Sequence, residues 1–274
     1  MSYQITATEY IDIDGVPLST PAWETLNFDE LNSGVETRGE NLIIPRRPGA
    51  FIRPRIIDQK IVNIPIIIYG NKAPDGTTYG NAREGLQTNI DLLKAALFNP
   101  YQPNDFTRLM TYHRSTTDLE AICQTKPNLD LERLSPTTAR GVITIEIPNG
   151  VLRSTTTTTI NQWVDNDETF NIGVPGTADN YGATYNIPGQ ANSIIIQNLT
   201  TGASLTYNYP TTTGLQIITP IFQALDGATN VGGRITTTGT PFWLPLKAGT
   251  NQLRVQRNGG ASVVMIISFK ANWI

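Results

Sequence analysis

FWLPLKAGTNQLRVQRNGGASVVMIISFKANWI, residues 242–274, is the stretch whose reading decides the fold class. Leu253 and Val255 alternate with Gln252, Arg254 and Gln256, the two-residue period of a strand with one buried face. Asn258, Gly259 and Gly260 tolerate the positive φ of a tight turn. Beyond them Val263, Val264, Met265, Ile266, Ile267 and Phe269 make an apolar run that reads as a strand covered on both faces. The segment is expected to be a β-hairpin, preceded by a polar turn at 247–251 and a short strand at Phe242, Trp243 and Leu244. Nothing in it is a nucleophile, base or metal ligand, so its expected task is packing.

Working back from it, ETFNIGV, NSIIIQNLTTGASLTYNY, GLQIITPIFQAL and GGRITTT add short strands separated by turn residues, with a hairpin at Thr201-Gly202 and no helix-period segment. This is the pattern of an antiparallel β-sandwich. The Thr run 155–159 is β-permissive, and Pro148, Asn149 and Gly150 end the strand before it. The domain boundary is placed at 149–154, dividing the chain into residues 1–150 and 151–274.

The first half reads as β with one helix. ITATEYIDIDGVPL alternates around the turn Asp14-Gly15, and GVITIEIPNG sends Ile143, Ile145 and Ile147 to one side. RIIDQKIVNIPIIIYG is a long strand in which Pro65 removes a ladder donor, suggesting an edge or a bulge. ENLIIPRRPGAFIRP has the composition of an extended arm rather than a core element. In NAREGLQTNIDLLKAALFNP, Leu86, Ile90, Leu93 and Leu97 form one helical stripe that Asn99-Pro100 stops.

With 274 residues, two domains can each bury a core. Charged residues are 16% of the chain, and the net charge of −3 argues against a protein that binds nucleic acid by sequence. The imbalance lies in residues 1–150, with 14 Lys and Arg against 18 Asp and Glu, whereas 151–274 hold 6 against 5. The single cysteine, Cys123, excludes an intrachain disulfide and is expected to be a buried thiol. MSYQITATEY lacks the basic and apolar regions of a secretory signal, and no apolar run reaches the about 18–20 residues of a membrane span. Synthesis in the cytoplasm and no membrane partner are expected.

Chemistry is sparse. A catalytic triad would have to use His113, the one histidine, with Cys123 or Ser115 as nucleophile, but neither sits in a recognisable elbow. Asp165, Asp167 and Glu168 could offer oxygen ligands to Ca²⁺, yet they lack the glycine and terminal Glu of an EF-hand loop and read as a solvated turn. No catalytic residue, metal site or cofactor is therefore expected. Trp23, Trp163, Trp243 and Trp273 could stack on sugars, though burial in a core is the commoner use. PRRPG could bind anions through Arg46 and Arg47, or serve as a subunit contact, since Arg is enriched at interfaces.

The succession GVPLSTPAW, VETRGENLIIPRRPG, RPRIIDQKIVNIPIIIYG and DGTTYGNAREGLQTNIDLLKAAL resembles the N-terminal domain of distal tail proteins of long, flexible-tailed (siphovirus) bacteriophages, and most of all the minor tail proteins of actinobacteriophages. The ending 242–274 is similar to the close of that family's C-terminal sandwich, while 155–235 resembles it less. The resemblance implies a mainly β chain: an N-terminal β-sandwich-like ring domain with one helix, and a C-terminal antiparallel β-sandwich of galectin-like or carbohydrate-binding-module-like fold. It implies a non-enzymatic structural protein at the distal end of the virion tail. Six copies would form a ring between the tail tube protein and the tail-tip hub or lysin-type proteins, around a conduit for the tape measure protein and DNA. An acidic lining there would repel phosphate. On this reading Arg46, Arg47, Arg53 and Arg55 lie at subunit or tail-tube contacts. The alternative is a carbohydrate-binding adsorption module recognising host surface glycans through the second sandwich, with Trp163, Tyr181 and Tyr185 as glycan contacts; a glycan hydrolase lacks any acid–base constellation.

Overall fold

The computed structural model describes residues 2–34, 37–38, 42–43, 50–51, 56–57, 59–97, 107–126, 129–239 and 243–274. It is mainly β, and it divides into two compact units, residues 1–152 with Ile274, and 153–273.

In the first unit β1 (Tyr10–Ile13) and β2 (Val16–Pro17) pair with Ile13 opposite Val16. The two residues between, Asp14 (φ 53) and Gly15 (φ 77), are both left-handed, as a two-residue hairpin turn requires. Then come β3 (Trp23–Thr25) and a one-turn helix α1 (Asp29–Asn32) absent from the sequence reading. Four short strands follow: β4 (Thr37–Arg38), β5 (Leu42–Ile43), β6 (Ala50–Phe51) and β7 (Ile56–Ile57). β4 pairs with β7 and β5 with β6, both antiparallel, so the segment expected as an arm carries two nested rungs of a hairpin.

β8 (Lys60–Tyr69) is the spine, and α2 (Ala82–Leu97) follows it. The remaining strands are β9 (Arg108–His113), β10 (Leu119–Thr125), β11 (Asp130–Ser135) and β12 (Thr138–Ile147). β8 and β12 pair along their whole length, from Thr138 opposite Tyr69 to Ile147 opposite Lys60. β3 lies on the other side of β8, and β11 and the end of β10 share the other edge of β12. β10 continues the sheet through β9 to β1. Pro65 therefore lies neither on an edge strand nor at a bulge. Its carbonyl accepts from the Leu26 N–H (3.0 Å), and its missing N–H faces the same side, where the ladder to β3 ends at Thr25.

Leu86, Ile90, Leu93 and Leu97 of α2 are buried, as their spacing requires, and so are Ile64, Ile66 and Ile68 of β8 and Ile143, Ile145 and Ile147 of β12. Asn89, fully buried on the same helix, donates through Nδ2 to the carbonyls of Tyr69 and Lys72 (2.7 Å each), while its Oδ1 accepts from the Tyr79 hydroxyl (3.1 Å). Helix and strand end approach so closely that a Cβ on Gly70 would lie 1.9 Å from the Ala82 carbonyl oxygen.

The second unit contains β13 (Leu152–Val164), β14 (Asp167–Val174), β15 (Thr184–Pro188), β16 (Ser193–Asn198), β17 (Ala203–Tyr207), β18 (Gly214–Ile218), β19 (Gln223–Asp226), β20 (Thr229–Asn230), β21 (Ile235–Thr238), β22 (Gly249–Asn258) and β23 (Val263–Trp273). One sheet runs β14-β22-β16-β17-β21 and the other β13-β23-β15-β18-β19-β20. Ile194, Ile196, Leu205, Leu253 and Val255 from the first meet Tyr185, Ile187, Ile217, Met265, Ile267 and Phe269 from the second in one core. The hairpin at residues 199–202 is present, with Asn198 opposite Ala203.

The closing segment is not a hairpin. β22 pairs with β14 and β16, and β23 lies in the opposite sheet, so the turn after Asn258 carries the chain across the sandwich. Alternation along β22 is the same in either arrangement; both its edges were already taken by strands from earlier in the chain. β23 is also covered mainly on one face, since Val264 is exposed while Met265, Ile267 and Phe269 are buried. Trp243 and Leu244 lie in a bend rather than the expected strand, and Phe242 falls outside the described residues.

Replacing Asn89 by Ala leaves two strand-end carbonyls and the Tyr79 hydroxyl without this partner. The variant is expected to lose about 1–3 kcal/mol of unfolding free energy in a urea titration, and a wild-type midpoint would contradict the role given to Asn89.

Candidate functional site

Among the described residues the first unit contains no assembled triad. His113 is held between two carboxylates, with Nε2 2.7 Å from Asp12 Oδ2 and Nδ1 3.1 Å from Asp118 Oδ2, and the Tyr10 ring stacks on it at 4.3 Å. Both ring nitrogens thus face carboxylates rather than a nucleophile. Cys123 pairs with Arg108 at the far end of β9, five residues from His113, or about 17 Å along the strand. Burial pushes its thiol up to about 12, with the Asp14 charge adding and Arg108 opposing. Ser115 is exposed in the loop after His113.

Asp167, the middle member of the acidic trio, binds Arg254 across the β14–β22 ladder, accepting from Nε at 2.8 Å and Nη2 at 2.5 Å, and also accepts from the Gln256 amide (3.1 Å). The Arg254 hydrogen bonds hold its carboxyl below the usual carboxylate range. Among the described residues no three His, Cys, Asp or Glu groups converge on a metal position, and no helix is long and apolar enough to cross a membrane.

What the first unit offers is surface. Leu26, Pro65 and Val142 stand in one row on the outer face across β3, β8 and β12, with Leu26 45% and Val142 38% exposed. Leu109 and Ile122, directly opposite each other on β9 and β10, are also exposed, as is Ile61. On β8 and β12 these apolar residues alternate on the outer face with Asn63, Arg140, Thr144 and Glu146, so that face is mixed rather than polar throughout. Sequence alternation alone could have located these residues, since Ile61, Ile67 and Val142 fall on the outward phase of their strands.

The arm rises from a pinned root. The buried Lys60 ammonium at the start of β8 donates to the carbonyls of Leu31 (2.7 Å) and Ser33 (2.6 Å), which lie before the arm. Glu30 accepts the backbone N–H of Asn63. Arg46, Arg47, Arg53 and Arg55 lie outside the described residues.

Of the aromatics in the second unit, Trp163 and Tyr181 are 64% and 43% exposed. Tyr185 corrects the expectation of a glycan contact: it is fully buried in the sandwich core, and its hydroxyl donates to the Leu244 carbonyl (2.9 Å). Its position on β15 is one of inward phase. Trp23 is buried with its indole N–H donating to the Pro17 carbonyl (2.9 Å), and Trp243 is half-buried.

The sequence matches no protein-family model and no curated protein. The fold does have counterparts. The crystal structure of the Dit protein of phage SPP1, described as a paradigm of the hub adsorption apparatus in phages infecting Gram-positive bacteria, aligns over 98% of this chain and 100% of its own, with TM-score 0.68 and 13% identity. The phage p2 baseplate in its activated conformation, with strontium or with calcium, aligns over 98% and 97% of this chain at 11% identity, with TM-scores of 0.40 and 0.41, and adds no weight to the first match. This chain thus has the fold of a phage Dit protein over nearly its whole length.

Two outcomes are expected from this chemistry. Cys123 in the folded protein resists iodoacetamide at about pH 8 and is labelled at once in denaturant, as read by mass spectrometry; rapid labelling of the native chain would contradict its burial. The Asp167 carboxyl, followed by NMR, titrates below the ordinary carboxylate value and moves towards it in Arg254→Gln, where the Gln256 hydrogen bond remains. Because the folded value is the lower one, the contribution of this pair is complete above the ordinary carboxylate pKa and is lost as pH falls through the depressed one.

Proposed function

We propose that this protein is a distal tail protein of a siphovirus: a non-enzymatic hub whose first unit forms a homohexameric ring between the tail tube and the tail-tip proteins. The observation that carries this reading is the full-length alignment to SPP1 Dit, which covers both units. The exposed apolar residues of the first unit, Leu26, Ile61, Leu109, Ile122 and Val142, support it as positions that a neighbouring subunit would cover. So does the arm. Lys60 and Glu30 anchor both of its roots, a geometry suited to reaching a neighbour with sheet hydrogen bonds already formed. On this reading Arg46, Arg47, Arg53 and Arg55 contact the next subunit or the tail tube protein. The ring surrounds the path of the tape measure protein and DNA, and the acid excess of residues 1–150 keeps that path from holding phosphate. The virion tail tip is the location. A second reading, adsorption to host glycans through the second unit, is compatible with the first and draws on the exposed aromatics there.

Light scattering on the purified chain should give a mass of about six subunits of 30.0 kDa, and negative-stain images should show a central hole. Charge reversal of the four arginines to Glu should dissolve the ring. Unaltered rings in that variant would remove the arginines from the interface, whereas a wild-type monomer that also fails to assemble with its tail tube protein would end the hub reading.

A further inference from the structure

One end of the second unit carries a feature that the hub role does not use. Among the described residues, three other than glycine take a left-handed φ: Asp14 (53), Phe222 (51) and Leu244 (46). Asp14 sits in a two-residue turn with Gly15, where that conformation is ordinary. Phe222 and Leu244 are bulky residues, for which it is a strained conformation. Both bear on one aromatic pair, since the Phe222 ring meets Trp243, the neighbour of Leu244, edge to face at 5.9 Å and 87°.

Such strain persists only where the surroundings over-determine it, and here they do. The Thr219 hydroxyl donates to the carbonyls of Tyr181 and Ala183 (2.9 and 2.7 Å). The Phe222 N–H closes its turn on the Thr219 carbonyl (3.2 Å), and Asn180 and Leu246 exchange both backbone bonds (2.7 and 2.9 Å). Tyr185 holds the Leu244 carbonyl (2.9 Å), and the Asn198 amide holds that of Pro245 (2.8 Å). Three loops are thereby locked together from beneath, while Tyr181, Ile221 (63%) and Phe222 (49%) stay exposed above. The backbone is fixed so that apolar side chains face water.

We propose that this end of the second unit is a carbohydrate site, in which a pyranose ring of a neutral polysaccharide packs on Phe222 and Trp243 with Tyr181 beside it and its hydroxyls turned towards the Asp179 carboxylate. The site rests on the glycan reading given above and assigns it a place. Size favours a sugar over a protein. At about 200 Å² for a large side chain, the exposed parts of Tyr181, Ile221 and Phe222 amount to roughly 300 Å², against about 800 Å² per partner in a stable protein interface. Charge favours a neutral ligand. Residues 151–274 hold 6 Lys and Arg against 5 Asp and Glu, and at this end one cation, the exposed Lys247, is offset by Asp179, which accepts from the adjoining Ala248 N–H (3.3 Å). Asp179 adjoins this face through that bond and through the next residue, Asn180, which is paired with Leu246. A rigid, pre-formed surface spares the ligand the cost of ordering it.

Trp163 is the natural control. The arch just after it meets Arg257, whose N–H donates to the Asn166 carbonyl (2.8 Å), at the far end of β22 from Leu246 and Lys247. The full-length chain is applied to a microarray of neutral microbial polysaccharides, and the strongest binder is titrated against wild type, Phe222→Gly and Trp163→Ala. Phe222→Gly removes the ring while relieving the left-handed strain, so the variant keeps its fold. Binding that falls at least tenfold in Phe222→Gly and is unchanged in Trp163→Ala is the expected result. Binding lost only in Trp163→Ala overturns the site and leaves the glycan reading standing. A wild-type chain that ignores every polysaccharide overturns both, and leaves the hub reading to the mass of the ring.

Discussion

The pairing of β8 with β12 is the interaction on which the first unit depends. Alternation of isoleucines along both strands sends Ile64, Ile66 and Ile68 and Ile143, Ile145 and Ile147 inward together, and a slip of either strand by one residue would turn its three to the outer face. Everything else attaches to this ladder: β3 on one edge, β11 and β10 on the other, α2 through Asn89 at the Tyr69 end, and the arm through Lys60 at the opposite end. The buried Lys60 carries a desolvation penalty that lowers its affinity for a proton, and the two carbonyls it meets offset that penalty. Its position makes the arm an extension of the spine rather than a loose insertion.

The second unit solves a different problem. β13 and β14 lie in opposite sheets and so do β22 and β23, so two turns carry the chain across the sandwich. At that end the buried Arg257 donates to the carbonyls of Ala261 and Gln190, tying the arch after Asn258 to the loop before β16. At the opposite end Tyr185, Asn198 and Thr219 hold strained loops through neutral hydrogen bonds. The two ends of one sandwich are thus held by different means, one by a buried cation and the other by neutral hydrogen bonds.

Much of this architecture was legible because periodicity is a local property. The helix stripe, the turn at Asp14-Gly15 and the hairpin at 199–202 follow from residues within a few positions of each other. Partner choice was not legible. The closing segment reads as a hairpin because two strands flank a turn of Asn and Gly, and only the prior occupancy of both edges of β22 sends β23 to the other sheet. The role of Asn89 was not legible either, since its partners, Tyr69 and Lys72, are set by how α2 folds back on β8. Tyr185 and Tyr181 are alike in composition and neighbourhood, yet one faces the core and the other water.

By itself the sequence determined that the chain is mainly β, that it holds one long amphipathic helix, and that its chemistry-bearing residues are few; these depend on composition and on spacing along the chain. Only the tertiary structure decided that His113 is occupied by two carboxylates, that Cys123 lies far from it, and that Phe222 and Trp243 meet. Such encounters join residues between 5 and 101 positions apart, and they are set by which strand edges remain free as the sheets close, a property of the whole fold that no local pattern contains.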